Sequence, residues 1–270
     1  MKPYVLIWGG GDLASGVVMR LYRVGIRVLV VEMDQPRVVR RSVSFAQAVF
    51  DGETRVEDIP GKLVNTPDEI EQSWKTWTVP VIIDPQLTLI QSFPPLALID
   101  ARMQKKYGPL ALDTADLVIG LGPGFVAGEN CHAAIETNRG HFLGRVFWKG
   151  SPEPDTGVPG KVQAYARERV LHAPADGTIE AIKSIGDDVK NGDPILSVNG
   201  IHVLAPFDGV IRGLINDGIF VKKGTKVGDV DPRPEHYRCW TVSEKSLAIG
   251  GGVLEALLTK ESIRFKLWQD

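Results

Sequence analysis

Two stretches of this chain are near copies of each other, and that repetition constrains the fold more than any other feature. "APADGTIEAIKSIGDDVKNGDPILSV" (173–198) aligns without gaps on "APFDGVIRGLINDGIFVKKGTKVGDV" (205–230), with ten identities in 26 positions at a constant offset of 32. Each copy carries AP-x-DG ahead of a short β pattern, then a glycine (Gly186, Gly218), a Val-Lys pair, another glycine (Gly192, Gly224) and a closing strand. A β unit this small cannot bury its own apolar face, so two copies predict a compact pseudo-twofold β-sandwich. The joining stretch "SVNGIHV" places Asn199-Gly200 at a type I′ turn, where both residues need positive φ.

The repeat resembles the barrel-sandwich hybrid fold of biotinyl and lipoyl carrier domains. Carriers of that kind hold their modified lysine at the joining hairpin, and this chain has no lysine there. The resemblance therefore implies the fold without the swinging arm, and no biotin or lipoyl lysine. Lys183, Lys190 and Lys222 fall elsewhere in the repeats, at positions expected to face solvent.

Ahead of the repeat, residues 4–8 read as a buried strand. Leu13, Ala14, Val17, Val18, Leu21 and Val24 then recur at helical spacing up to Gly25, a natural helix stop. "RVLVVEM" (27–33) and apolar runs at 62–65, 80–83, 96–99 and 116–121 read as further strands. Their alternation with helix-sized or turn-rich segments predicts an α/β fold with an N-terminal Rossmann-like, doubly wound sheet over residues 1–150. Prolines and glycines then crowd "KGSPEPDTGVPGK", which sets a linker at 151–161, the β repeat at 162–232 and a helical segment at 233–270 that packs back on the first domain. In that tail Ser243 is a helix N-cap, and three glycines inside the helix require either tight packing or a glycine-lined edge of a ligand pocket.

With 270 residues, 43% of them apolar, and a net charge of −2, the chain can bury a sizeable core but has no electrostatic footprint for nucleic acid or an acidic membrane. The N-terminus is too short in apolar residues for a signal peptide and no run is long enough to span a bilayer, so a cytoplasmic location is expected. Two cysteines, Cys131 and Cys239, form neither a disulfide framework nor a zinc spacing.

Two glycine loops carry the candidate chemistry. Gly9, Gly11 and Ala14 fit G-x-G-x-x-A between a strand and a helix, with Gly10 inside the run and Glu32 closing the next strand. Backbone N–H groups there can approach a pyrophosphate, and Glu32 can accept from a ribose. The alternative is a glycine turn that binds nothing. Asp12 repels a phosphate unless it points away or meets a cation. Beyond Glu32, Arg37, Arg40 and Arg41 form either a solvated basic face or a contact for a phosphate or pterin.

The second loop runs from a buried strand through Gly120, Gly122, Pro123 and Gly124 into a predicted helix over 129–137, and then to Arg139, Gly140 and His141. On such a helix His132 and Glu136 share a face, as a structural pair or an oriented base, with no third ligand at a metal spacing. Cys131 is a buried hydrophobe or an activated thiolate. His141, His132, Cys131 and Glu136 are thus the catalytic candidates. Gly9, Gly10, Gly11, Asp12, Ala14, Glu32, Gly122, Pro123, Gly124 and Arg139 are the cofactor-binding candidates.

"GGGDLASGV", "SVSFAQAVFDG", "DLVIGLGPGF", "ETNRGHFLGRV", the AP-x-DG repeat, "GDVDPR" and "GGGVLEA" together resemble the selenium-dependent molybdenum hydroxylase system protein family of the YqeB type. The matching positions are Gly9 to Asp12, Gly122 to Gly124, Arg139 with His141, and Asp229 to Arg233. The resemblance implies an accessory role in maturing molybdenum hydroxylases, beside XdhC-like chaperones. The ligand would be a nucleotide, NAD-like or a molybdopterin nucleotide, and the partner a hydroxylase or its maturation proteins. It supplies no reaction and leaves homo-oligomerisation open. The alternatives are an NAD(H)-dependent oxidoreductase of a small substrate and a non-catalytic interaction scaffold.

Overall fold

The structure, a computed structural model, describes residues 2–103, 111–155, 165 and 168–268. The chain divides into two compact units, one of Met1–Pro36, Phe45–Thr156 and Val242–Asp270, the other of Arg37–Ser44 and Gly157–Thr241.

In the first unit the chain forms β1 (Val5–Trp8), α1 (Asp12–Arg23), β2 (Val28–Glu32), α2 (Ala48–Asp51), β3 (Glu53–Val56), β4 (Ile59–Val64) and α3 (Pro67–Lys75). It continues through β5 (Val79–Ile83), β6 (Ala97–Asp100), β7 (Leu117–Leu121), β8 (Ala133–Ile135) and β9 (Val146–Phe147). The second unit holds β10 (Val170–His172), β11 (Gly177–Ala181), β12 (Asp188–Val189), β13 (Pro194–Val198), β14 (Ile201–Leu204), β15 (Gly209–Leu214), β16 (Phe220–Val221), β17 (Lys226–Asp231) and α4 (Tyr237–Trp240). The chain then returns to the first unit with α5 (Glu244–Thr259) and α6 (Glu261–Arg264).

The first unit is built on one nine-stranded sheet of order β3-β4-β5-β2-β1-β6-β7-β8-β9. Neighbours from β4 to β8 run parallel, and the outer pairs β3/β4 and β8/β9 run antiparallel. β1, β2, β6 and β7 are buried at every residue, as continuous apolar runs in a parallel sheet must be. α3 starts at a capping box, Thr66 with Glu69, and has Pro67 in its first turn. Its Ile70 packs with Tyr4, Leu29, Val31, Phe93 and Leu98 in one core cluster.

The expected fold class is corrected here. The large sheet is mixed rather than doubly wound. Among the described residues α1 joins β1 to β2 and α3 joins β4 to β5, whereas β5 reaches β6 through a short 3₁₀ turn (Thr88–Gln91) and β7 reaches β8 without a helix. The helix that packs against α1 is α5, from a distant part of the chain. A Cβ on Gly16 would collide with Ser246, one on Gly250 with the carbonyl of Gly16, and one on Gly252 with the carbonyl of Gly144. That packing accounts for two of the three consecutive glycines; Gly251 faces open space. Ser243 caps α5, its hydroxyl accepting from Ser246 N–H at 3.2 Å.

In the second unit the repeat forms two four-stranded antiparallel sheets, β10-β17-β15-β12 and β14-β13-β11-β16, which replace the expected barrel-sandwich-hybrid-like description. Equivalent strands of the two copies are β11 and β15, β12 and β16, β13 and β17. Each sheet takes two long strands from one copy and the short middle strand from the other, so neither copy closes its sheet alone. The same exchange fixes the turns. Asp176 of the first copy accepts from Lys222 Nζ and Lys223 N–H, both at 2.8 Å. Asp208 of the second accepts from Lys190 Nζ at 3.0 Å and Asn191 N–H at 2.8 Å. Asn199 and Gly200 both have positive φ, 52° and 74°, as a type I′ turn requires. One core, with Ile195, Val198, Ile211 and Val230, fills the unit.

Arg37–Ser44 belongs to this second unit, and two of its three arginines are not a solvated face. Val39 O accepts from Leu214 N–H at 2.8 Å. Arg40, 7% exposed, donates to the carbonyls of Arg238 and Thr241. Arg41 donates to the carbonyl of Leu214, and Arg37 is exposed.

Candidate functional site

In an open sheet with parallel strands, ligands gather outside the carboxyl ends of the strands, where the strand order reverses. Here the chain proceeds from β1 outward through β2 and then crosses to β6 on the other side of β1, so the reversal lies between β1 and β6. Gly9–Gly11 follow β1, Ala101–Met103 follow β6, and Gly122–Gly124 follow β7. Both glycine loops therefore stand at one edge of one sheet, on either side of β6.

The first loop is braced from within. Gly10 N–H donates to Glu32 Oε1 at 2.6 Å and Met33 N–H to Oε2 at 2.9 Å, so both carboxylate oxygens are engaged. Glu32 is 8% exposed, and burial raises its pKa above the ordinary 4.5 against the pull of those two donors. Glu32 thus holds the loop, with one accepting position of each oxygen spent on it. Gly9 N–H is likewise spent, on Val31 O at 2.8 Å. Gly10 has no room for a side chain, since a Cβ would lie 2.8 Å from Ala46 N and 2.9 Å from Val30 Cγ1. The first-turn amides of α1 remain, because its N-cap, Gly11, offers no side chain to receive them.

Asp12 points toward α5. Its Oδ1 accepts from Ser246 Oγ at 2.9 Å, and it lies within electrostatic reach of Lys245. The cation that a carboxylate in this loop calls for is thus Lys245, a residue that sequence reasoning did not select. Lys245 is largely buried. Desolvation first, and the Arg139 charge second, lower its pKa from 10.5, while Asp12, Glu136 and Glu244 oppose them. Among the described residues its ammonium makes no direct hydrogen bond or ion pair. The three carboxylates around it each have donors. Ser246 donates to Asp12. Asn138 N–H at 2.6 Å and Glu153 N–H at 2.7 Å donate to Glu136, which is 1% exposed. Arg139 donates to Glu244 at 2.6 Å.

The second loop differs from its sequence reading. Residues 129–137 do not form a helix: Ala133–Ile135 is strand β8, paired parallel to β7, and Glu136 follows it. Two alanines favour helix only weakly, and burial between β7 and β9 overrides that preference. His132 and Glu136 therefore do not share a helix face. His132 Nδ1 accepts from Val118 N–H at 2.9 Å, and burial lowers the imidazole pKa. Cys131 is fully buried and its thiol is pushed up to about 12, which removes the activated-thiolate reading. His141 is exposed beside the edge of the Phe142 ring. Gly122 sits at φ 80° with N–H on Ile135 O at 2.9 Å, where a Cβ would press on Thr137. Asn130 ties the rest of the loop through Gly124 O and Val126 N–H.

The structure thus gathers Asp12, Glu136, Arg139 and Lys245 beside the uncapped end of α1, and leaves His132 and Cys131 in structural positions. Chemically, an ammonium of lowered proton affinity can bind an anion or hand over a proton more readily than an exposed lysine. The sequence signal for Lys245 was indirect: the glycine run "GGG" forces α5 close to α1, which carries the first turn of α5 to the start of α1.

No family model matches the chain. It is 45% identical over 254 residues to the protein named "Uncharacterized protein YqeB" of Escherichia coli (strain K12), covering 94% of this chain and 47% of that one. The chain therefore spans about half the length of the curated relative it matches. Solved structures that overlap it include an aspartoacylase family protein from Mesorhizobium loti, 12% identical, covering 87% and 86% of the two chains, with a TM-score of 0.27. Another is a succinylglutamate desuccinylase/aspartoacylase from Rhodobacter sphaeroides, 15% identical over 87% of each chain, also with a TM-score of 0.27. The expected role in molybdenum hydroxylase maturation, with its oxidoreductase and scaffold alternatives, is not carried forward, because the relative's name matches the YqeB type but states no such role.

Proposed function

We propose that the first unit binds a small phosphate-bearing molecule of the nucleotide class at the carboxyl edge of its large sheet, with Lys245 supplying the positive charge. The observation that carries this reading is the state of Lys245. It is a largely buried ammonium with lowered proton affinity and no direct partner among the described residues, beside an α1 N-terminus that no side chain caps. An anionic group bound there completes both, since the helix end and the ammonium favour the same sign of charge. The carboxylates close by do not oppose it strongly, because each already accepts from a hydroxyl, from backbone N–H groups or from Arg139. Arg139, about two-fifths exposed and bonded to Glu244, is positioned to exchange that carboxylate for a ligand oxygen.

Calorimetric titration with ADP and with pyrophosphate tests the proposal. Saturable binding is expected, weakened at least tenfold by Lys245→Met. Binding in the wild type should take up protons as pH rises toward 10.5, because an anion beside Lys245 restores its proton affinity. Absence of saturation with both probes, or binding that Lys245→Met leaves unchanged, overturns it.

A further inference from the structure

The opposite, amino edge of the large sheet carries a cleft that the site above does not use. Two helices, α1 and α3, end beside it with the same main-chain device. In α1, Gly25 N–H donates to Tyr22 O and Ile26 N–H to Leu21 O, both at 3.0 Å. In α3, Trp77 N–H donates to Trp74 O at 3.2 Å and Thr78 N–H to Ser73 O at 2.9 Å. This paired closure puts the residue after the C-cap in the left-handed region, where glycine is usual because it has no Cβ. Gly25 meets that rule at φ 80°, whereas α3 places a tryptophan there, at φ 53°. A left-handed conformation costs a residue with a side chain about 1–2 kcal/mol. Here the side chain bearing that cost is also 61% exposed, so its burial returns little. Stability alone accounts for neither feature.

Instead, the neighbouring residues hold Trp77 in place. Tyr22 Oη donates to Trp77 O at 2.8 Å, and the two rings meet edge to face with centroids 5.8 Å apart. Trp74, on the last turn of α3, is fixed by its own Nε1–H on Val28 O at 2.7 Å. The cleft has a volume of about 420 Å³ and is lined, among the described residues, by these three aromatic residues together with Lys2, Arg27, Lys75 and one carboxylate, Glu71. That volume falls within the roughly 300–1,000 Å³ of small-molecule sites.

We propose that this cleft is a second binding site, for a small flat aromatic anion. Aromatic linings favour a planar ring through stacked and edge-to-face contacts. Among the described lining residues three cationic side chains stand with one carboxylate, a balance that favours a negative substituent on that ring. Trp77 is the residue through which the site is read, held at a strained backbone position for contact with the ligand rather than for the fold.

The test uses 2-naphthoate as probe on the full chain, followed by saturation-transfer NMR and calorimetry, with 2-naphthylmethylamine and cyclohexanecarboxylate as controls for charge and flatness. Saturable binding of 2-naphthoate is expected, with at least tenfold weaker binding of either control. Trp77→Gly installs the residue that the left-handed turn favours, so it should melt no lower than wild type while losing tenfold or more in naphthoate affinity. Lys75→Glu should weaken naphthoate as well and leave the melting temperature near the wild-type value. The proposal is overturned by naphthoate that does not saturate, by an amine that binds as tightly as the acid, or by a Trp77→Gly variant that melts lower or binds equally well.

Discussion

A lysine in the first turn of a helix carries no motif, yet Lys245 is where the candidate site draws its charge. Its position is set by neighbours in space: Asp12 from α1, Glu136 from the end of β8 and Arg139 just beyond. No spacing in the sequence links those residues. What was legible was the need, because a carboxylate at Asp12 in a glycine loop demands a cation or an outward turn. Glu32 shows the opposite case. Its place at the end of β2 was legible, but whether its carboxylate turns to a ligand or back to Gly10 depends on a 2.6 Å contact that only the fold determines. Lys245 also makes a pH prediction. It holds its proton less readily in the folded chain than in the unfolded one, so its charge costs stability at neutral pH, and the cost fades as pH rises through the lowered folded pKa toward 10.5. Lys245→Met should therefore melt higher than wild type at pH 7, with the difference shrinking as pH approaches 10.5. Paired thermal melts across that range check it, and a difference that grows with pH contradicts it.

Most elements of the large sheet could be read from apolar runs. Strands expected at 4–8, 27–33, 80–83, 96–99 and 116–121 are found at Val5–Trp8, Val28–Glu32, Val79–Ile83, Ala97–Asp100 and Leu117–Leu121. Continuous burial leaves a long apolar signal. β8 left none, because three residues flanked by polar ones show no period, and two of them are alanine. The mixed character of the sheet was equally hidden, since antiparallel edges are set by pairing partners and not by composition. The glycines of α5 announced a close approach without naming its partner. Their two environments give a matched test. Gly251→Ala, in open space within a helix, should stabilise the protein by roughly 0.5–1 kcal/mol. Gly250→Ala, whose Cβ would enter the backbone of Gly16, should destabilise it by about 1–3 kcal/mol. Denaturant unfolding of both variants separates these outcomes, and equal effects at the two positions would remove the packing account.

Neither compact unit is continuous in sequence. The second unit recruits Arg37–Ser44 from far upstream, and the first is completed by Val242–Asp270. A linker rich in proline and glycine marks one crossing between the units, but the excursion at 37–44 has no such signal, because a short arginine-bearing segment of apolar and polar residues reads as surface. The whole-molecule prediction concerns the later crossing. A chain ending at Thr241 keeps every segment of the second unit and removes α5 from the first. Hydrogen exchange should show protection lost in α1 and kept in β11, β13, β15 and β17; loss in both units together contradicts it. The fit of Gly16 against Gly250 also has a consequence in time. A ribosome that adds roughly 5–20 residues per second releases α5 about 10–50 s after α1, since 234 positions separate the two glycines. Through that interval the nascent sheet waits with one helix face uncovered, so in the cell the yield of this protein should depend on chaperones that shield emerging chains.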